Sequence, residues 1–209
     1  MLGTGSKLNH LFTKKTYLII IVFCCLFFSW KNNAPKKTPN IVLILADDLG
    51  YSDLGCFGSE ISTPNLNSLA QHGQIFTNFY TAAACSPSRA MLLSGADNHI
   101  AGLGDMAEHV PAMPDEIGKP GYEGFLNSKV IGVAQLLKDA GYHTYISGKW
   151  HLGLEPEQSP TANGFERSFA LLDAYANHFI PDRRESSFWQ DGNYTDYPNG
   201  KYSTDLYTD

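Results

Sequence analysis

The sequence predicts an α/β fold, a mostly parallel sheet with helices on both faces, and three observations predict it. Strand-like apolar runs alternate with segments of helical period. The run at 41–46 is apolar without interruption and half β-branched, the pattern of a strand covered on both faces. Ionisable residues fall just past the predicted strand ends, at 47–48 and at 149 and 151, where sheets of this class gather their ligands.

In chain order, the strand at 41–46 ends in Asp47 and Asp48. Thr63 as N-cap and Pro64 at the first helical position open a helix that runs to His72, with Leu66, Leu69 and Ala70 at helical spacing and Gly73 as its stop. Residues 74–80 alternate as a second strand. Ser86 or Pro87 then begins a helix through Leu93, stopped by Gly95. Ser128 caps a further helix with Val130, Val133, Ala134 and Leu137 on one face, and Gly141 closes it. Residues 142–147 form the next strand, which delivers Lys149 and His151 into the loop beyond. From 181 to 209 the chain is polar and rich in Tyr, Asp, Asn and Gly, reading as an excursion before the next core element. No internal repeat or low-complexity segment interrupts this order.

The N-terminus is a separate object. Lys7, Lys14 and Lys15 precede an apolar run at 17–30 broken only by Ser29, the arrangement of an export signal. As a helix the run would reach about 21 Å at 1.5 Å per residue, short of the roughly 30 Å hydrocarbon core. A cleavable signal is favoured, with an uncleaved membrane anchor as the alternative, since no Ala-x-Ala site follows and Lys31, Lys36 and Lys37 balance the upstream lysines. The chain thus divides into 1–37, signal or anchor plus linker, and 38–209, one globular domain. The expected location is periplasmic or extracellular.

Across 209 residues, 43% hydrophobic and 17% charged content suffices for one sizeable core. A net charge of -6 without a basic stripe argues against a nucleic-acid partner. Of four cysteines, Cys24 and Cys25 lie in the apolar N-terminal run, leaving Cys56 and Cys85. Two cysteines make no disulfide framework, and Cys56 is expected to be a free, packed thiol.

Asp47, Asp48, Cys85, Lys149 and His151 each follow a predicted strand, so topology alone allows all five to converge. Adjacent carboxylates form turns as readily as metal sites; as ligands they suit a hard cation, Ca²⁺ or Mg²⁺, better than zinc. Arg89, four residues after Cys85, reaches back one helical turn, and a solvated arginine is the alternative. Lys149 and His151, two apart, point the same way on an extended segment. His72, His109 and His143 carry no such pattern and are expected at the surface or in the core, with His99 a candidate to support the site from behind.

The pentapeptide Cys85-Ser86-Pro87-Ser88-Arg89 resembles the sulfatase signature. The resemblance extends to 40–50, which matches the family's first strand and its paired aspartates, to Gly148-Lys149-Trp150-His151-Leu152-Gly153, and, for bacterial arylsulfatases, to 94–104 and 118–124. It covers about residues 38–209 and implies the alkaline-phosphatase-like fold. It also implies that a formylglycine-generating enzyme oxidises Cys85 to formylglycine, whose hydrated aldehyde attacks a sulfate monoester. Asp47, Asp48 and one hydroxyl of the modified Cys85 would bind Ca²⁺, with Mg²⁺ as the alternative. Arg89 would hold the formylglycine and the metal ligands, Lys149 would bridge formylglycine and sulfate, and His151 would take the second hydroxyl's proton so that sulfate leaves and the aldehyde returns.

The implied substrate is a sulfate-ester small molecule or sulfated glycan. The family also calls for a later Asp-Asn pair and a further histidine and lysine. Asp173, His178, Asp191-Gly192-Asn193 and Lys201 lack the flanking pattern, so the chain reads as the N-terminal part of an incomplete domain, inactive by itself. The alternatives are a phosphonate or phosphate monoester hydrolase of the same superfamily, or a noncatalytic membrane-anchored remnant.

Overall fold

A computed structural model describes residues 38–179, 188–198 and 200–209. The expected export segment at 17–30 lies outside them, and among the described residues no helix is long and apolar enough to cross a membrane. The chain divides into two units, 1–45 and 46–209.

In the first unit the described residues, 38–45, carry no regular secondary structure and all are exposed. This corrects the expected strand at 41–46, where Val42 is 81% and Ile44 70% exposed. An apolar run becomes a buried strand only when neighbours on both sides satisfy its backbone and cover its faces, and this run pairs with no strand among the described residues.

Among its described residues the second unit carries four α-helices, α1 (Pro64–His72), α2 (Cys85–Ser94), α3 (Val133–Asp139) and α4 (Ser203–Thr208), and four strands, β1 (Tyr145–Lys149), β2 (Arg167–Leu171), β3 (Phe188–Gln190) and β4 (Asn193–Thr195). The strands form one sheet in the order β1-β2-β3-β4. β1 and β2 pair in parallel, Lys149 facing Leu171 in register, whereas β2–β3 and β3–β4 are antiparallel. The architecture is α/β with a mixed sheet.

Side chains alternate across β2 and β3, and two cores follow. One gathers Ala170, Leu172 and Trp189 with Ala90, Leu103, Leu126, Trp150 and Leu152. The other gathers Leu171, Phe188 and Tyr197, with Phe169, Leu206 and Tyr207 packed on them. Adjacent Phe188 and Trp189 therefore enter opposite cores. The tail read as a polar excursion instead contributes two strands, a helix and large core aromatics. Three-residue strands are too short for an alternation to register in sequence.

Three further expectations change, the first being the strand expected at 142–147, which spans Tyr145–Lys149 and so takes Lys149 out of the loop and into its last position. Residues 74–80 form no strand, and Phe76, Phe79 and Tyr80 are exposed; their alternation is present without a ladder partner. The helix expected from Ser128 begins at Val133, because Asn127 Oδ1 accepts from Lys129 N–H at 3.0 Å and turns the chain there, and Gly132 is extended. The predicted start of α1 holds, with Thr63 at the N-cap and Pro64 first, although the Thr63 hydroxyl accepts from Gly55 N–H at 2.9 Å instead of capping the helix. Cys56 is a free, half-buried thiol, as expected.

Candidate active site

α2 begins on Cys85, one or two residues earlier than its sequence suggests. Ala84 precedes it in the extended conformation, the Ser88 amide closes the first turn on the Ala84 carbonyl at 3.2 Å, and Pro87 sits where its missing N–H costs no bond. The helix buries Ser86, Pro87, Arg89 and Ala90, and Gly95, at φ 67, ends it by donating to the Met91 carbonyl. Cys85 is held half-buried at the helix N-terminus, where the partial positive charge of the amides favours an anion.

Arg89, 8% exposed, turns back from the next turn. Its Nη2 donates to Asp47 Oδ1 at 3.1 Å and its Nη1 to the Lys149 carbonyl at 2.7 Å. Lys149, the last residue of β1, donates from Nζ to Asp47 Oδ2 at 2.9 Å and is 11% exposed. Burial alone would raise the Asp47 pKa, but the hydrogen bonds and charges of Lys149 and Arg89 outweigh it and hold the carboxyl below its ordinary value. Asp48 adopts φ 54, a left-handed conformation that aspartate tolerates better than most residues. Its Oδ1 lies 3.9 Å from Cys85 Sγ. Asp47, Asp48 and Cys85 each offer a donor atom, all within 4.8 Å of one another.

His151 follows β1 at φ 54 and is buried to 7% side-chain exposure. Its Nε2 faces Glu108 at 3.2 and 3.3 Å from the two carboxylate oxygens, and its Nδ1 is buried with no hydrogen-bond partner. Burial pushes its pKa down, Glu108 opposes this, and Lys149 and Arg89 reinforce it, leaving the imidazole below its ordinary value.

Five sequence-predicted residues thus meet: Asp47, Arg89 and Lys149 in one hydrogen-bonded triangle, Asp48 and Cys85 beside it. His151 is held on the strand end that carries Lys149. The other described histidines make their contacts elsewhere: His72 with the Ser68 carbonyl, His109 with Asp105, His143 with Glu166, His99 with Asp97 and Tyr122, and His178 with the Ser203 hydroxyl. Sequence reasoning missed Glu108, which lies 43 residues from its partner in a stretch with no periodicity or motif to single it out.

The Sulfatase family profile matches residues 39–209, and the chain belongs to that family. It is 55% identical over 161 residues to an uncharacterized sulfatase of Schizosaccharomyces pombe, covering 76% of this chain and 29% of that protein. Against the arylsulfatase of Klebsiella aerogenes it is 39% identical, covering 83% of this chain and 38% of the relative. The crystal structure of Ps i-CgsB superposes with a TM-score of 0.65 at 29% identity, over 81% of this chain and 39% of that one. The structure of BT4656 in complex with its substrate D-glucosamine-2-N,6-O-disulfate does so with a TM-score of 0.61 at 30% identity, over 81% and 29%. The chain therefore spans less than two fifths of the length of these relatives.

Proposed function

We propose that the chain is the N-terminal part of an exported arylsulfatase-type hydrolase that cleaves sulfate monoesters to an alcohol or phenol plus sulfate. The observation that carries this reading is the triangle of Asp47, Arg89 and Lys149 closed beside Cys85 and Asp48. Two largely buried cations aimed at one carboxylate, next to a nucleophile at a helix N-terminus, form a preorganised setting for an anionic ester.

As encoded, the clustered donors are two hard carboxylates and a soft thiol, a mixed set for Ca²⁺ or Mg²⁺. Conversion of Cys85 to formylglycine by a formylglycine-generating enzyme replaces the sulfur by oxygen and brings the set into line. Asp47, Asp48 and the modified residue would then hold the cation, Ca²⁺ in our reading. When bound, such a cation supplies charge that favours the deprotonated form of a nearby hydroxyl. Lys149 and Arg89 orient Asp47 and place positive charge where negative charge gathers on the sulfate oxygens. His151, neutral at pH 7 because it is buried, has an unoccupied Nδ1 with which to accept a proton.

The substrate class is a sulfate-ester small molecule or a sulfated glycan; BT4656, with which the fold is shared, has a disulfated glucosamine as its substrate. The apolar stretch at 17–30 would direct export and, uncleaved, would anchor the protein to a membrane. Residues 38–209 form the catalytic part, completed in the parent by ligands this chain does not supply.

Turnover of aryl sulfate against aryl phosphonate by the full-length protein tests the reading. Sulfate is expected to be preferred, and Cys85→Ala to abolish turnover. A phosphonate preference of several orders of magnitude would transfer the assignment to the phosphonate hydrolases. Absence of turnover on either ester, in protein carrying the modified Cys85, would favour a binding remnant.

A further inference from the structure

His151 is held more firmly than a loop residue two positions beyond a strand would be. The Trp150 amide donates to the Leu171 carbonyl at 2.7 Å and the His151 amide to the Leu172 carbonyl at 3.2 Å, which continues the β1–β2 pairing past the end of the strands. The Leu152 carbonyl accepts from Leu126 N–H at 2.9 Å. With its backbone pinned on both sides, the ring has little freedom beyond its own torsions, and what holds the ring itself is Glu108.

The segment bearing Glu108 is also built. Asp105 Oδ1 takes the Met106 amide at 2.6 Å and the His109 ring at 3.1 Å, the His109 amide returns to the Met106 carbonyl, and a short 3-10 helix follows at Val110–Ala112. Glu108 is thereby presented from an ordered turn, with both oxygens of its carboxylate straddling Nε2 of His151.

A neutral imidazole carries one donor and one acceptor, and a carboxylate only accepts. Nε2 must therefore bear the hydrogen, and the buried, unpartnered Nδ1 presents a lone pair. We infer that Glu108 is a positioning residue for His151: it fixes the Nε2–H tautomer and the ring orientation, and so keeps Nδ1 free to take a proton from a hydroxyl donor in the site. The proton passes from that hydroxyl to Nδ1, and the imidazolium that results is balanced by the Glu108 carboxylate. The identity of the donor as a hydroxyl at Cys85 rests on the sulfatase reading above; the hold of Glu108 on the tautomer does not.

The charged groups acting on His151 are Glu108 from the turn, Lys149 from β1 and Arg89 from α2. The two cations disfavour the imidazolium and Glu108 favours it, so removal of Glu108 lowers the His151 pKa. An aspartate or glutamate behind a histidine base does the same in the serine hydrolases, where it orients the ring without itself taking the proton.

The test uses full-length protein labelled with ¹⁵N-histidine, with Glu108→Gln and Glu108→Ala variants. Long-range ¹H–¹⁵N spectra should show His151 as the Nε2–H tautomer in the wild type. Glu108→Gln should keep that tautomer, since its amide oxygen still accepts from Nε2–H, but lower the His151 pKa. Glu108→Ala should lower the pKa and mix the tautomers. In active enzyme, Glu108→Ala should reduce kcat by about 10- to 100-fold, the loss typical when a metal-bound histidine is deprived of the partner that orients it, with little change in KM, and should move the acid limb of the kcat/KM profile to lower pH. An Nδ1–H tautomer in the wild type, or a His151 pKa unmoved by Glu108→Ala, would overturn the inference. If the tautomer and pKa respond as expected while neither ester is turned over, Glu108 keeps its role and the sulfatase reading fails.

Discussion

Lys149 Nζ lies 2.9 Å from Asp47 Oδ2, which joins two residues 102 positions apart. Arg89 takes the other oxygen of the same carboxylate and also the carbonyl of Lys149. The two cations are almost buried while Asp47 is 44% exposed, so the carboxylate is the open corner of the triangle.

Asp47→Asn therefore leaves two largely buried cations facing a neutral amide. We expect a loss of about 1–2 kcal/mol, below the usual cost of breaking a buried pair because Asp47 is partly exposed and screened. Denaturant midpoints measure it. In full-length protein, Ca²⁺ at 100 times its Kd should add about 2.7 kcal/mol to the wild type and much less to Asp47→Asn. An equal Ca²⁺ response in the two proteins would remove Asp47 from the metal site.

Cys85 should carry an aldehyde in protein exported from a host with the modifying enzyme. Replacing CH₂SH by CHO removes about 18 Da and provides a nucleophile once hydrated, so mass spectrometry of the tryptic peptide reads the change directly. Active enzyme with only the free thiol would sink the proposal.

The depressed pKa of His151 makes a pH prediction. Its folded pKa lies below the 6.5 of the free imidazole, so between the two values the unfolded chain binds more protons than the folded one. Its contribution is fully favourable above about pH 6.5 and is lost progressively as pH falls toward the folded value. Urea midpoints measured from pH 8 down to pH 5 should decline across that window, and the part of the decline due to this group should vanish in His151→Gln.

Gly164 has φ 96, and a Cβ placed there would stand 2.5 Å from the Gln135 amide nitrogen in α3. Gly164→Ala should cost on the order of 2 kcal/mol or more, combining left-handed strain with overpacking against backbone. Gly58 has φ 97 and open space around it, so Gly58→Ala reports the backbone strain alone. Comparable thermal midpoints for the two variants would remove the packing contribution.

Val42 is 81% exposed. Val42→Lys should change stability by no more than about 0.5 kcal/mol, as surface substitutions do, while lowering aggregation by adding charge to an apolar run. A loss of several kcal/mol would mean that the strand expected at 41–46 is buried after all.

What the sequence determined by itself is local chemistry and punctuation. Pro87 lies in the first turn of α2 and Gly95 ends it, Pro64 and Gly73 bracket α1, and Gly141 precedes the strand that brings Lys149 and His151 to one end of the sheet; these depend on backbone preferences carried within a few residues. The motifs around Cys85 and Lys149 pointed to Asp47, Asp48 and Arg89 as their companions, and the structure brings those five together. Tertiary structure alone decided the pairing. The runs at 41–46 and 74–80 have strand composition, but a ladder needs a partner, and partners are chosen by contacts distant in sequence. Phe188 and Trp189 became core residues because β2 accepts them as an antiparallel neighbour. Glu108 entered the site for the same reason: its turn, of no evident pattern in the chain, is held where a buried imidazole needs an acceptor, and only the folded arrangement makes that need visible.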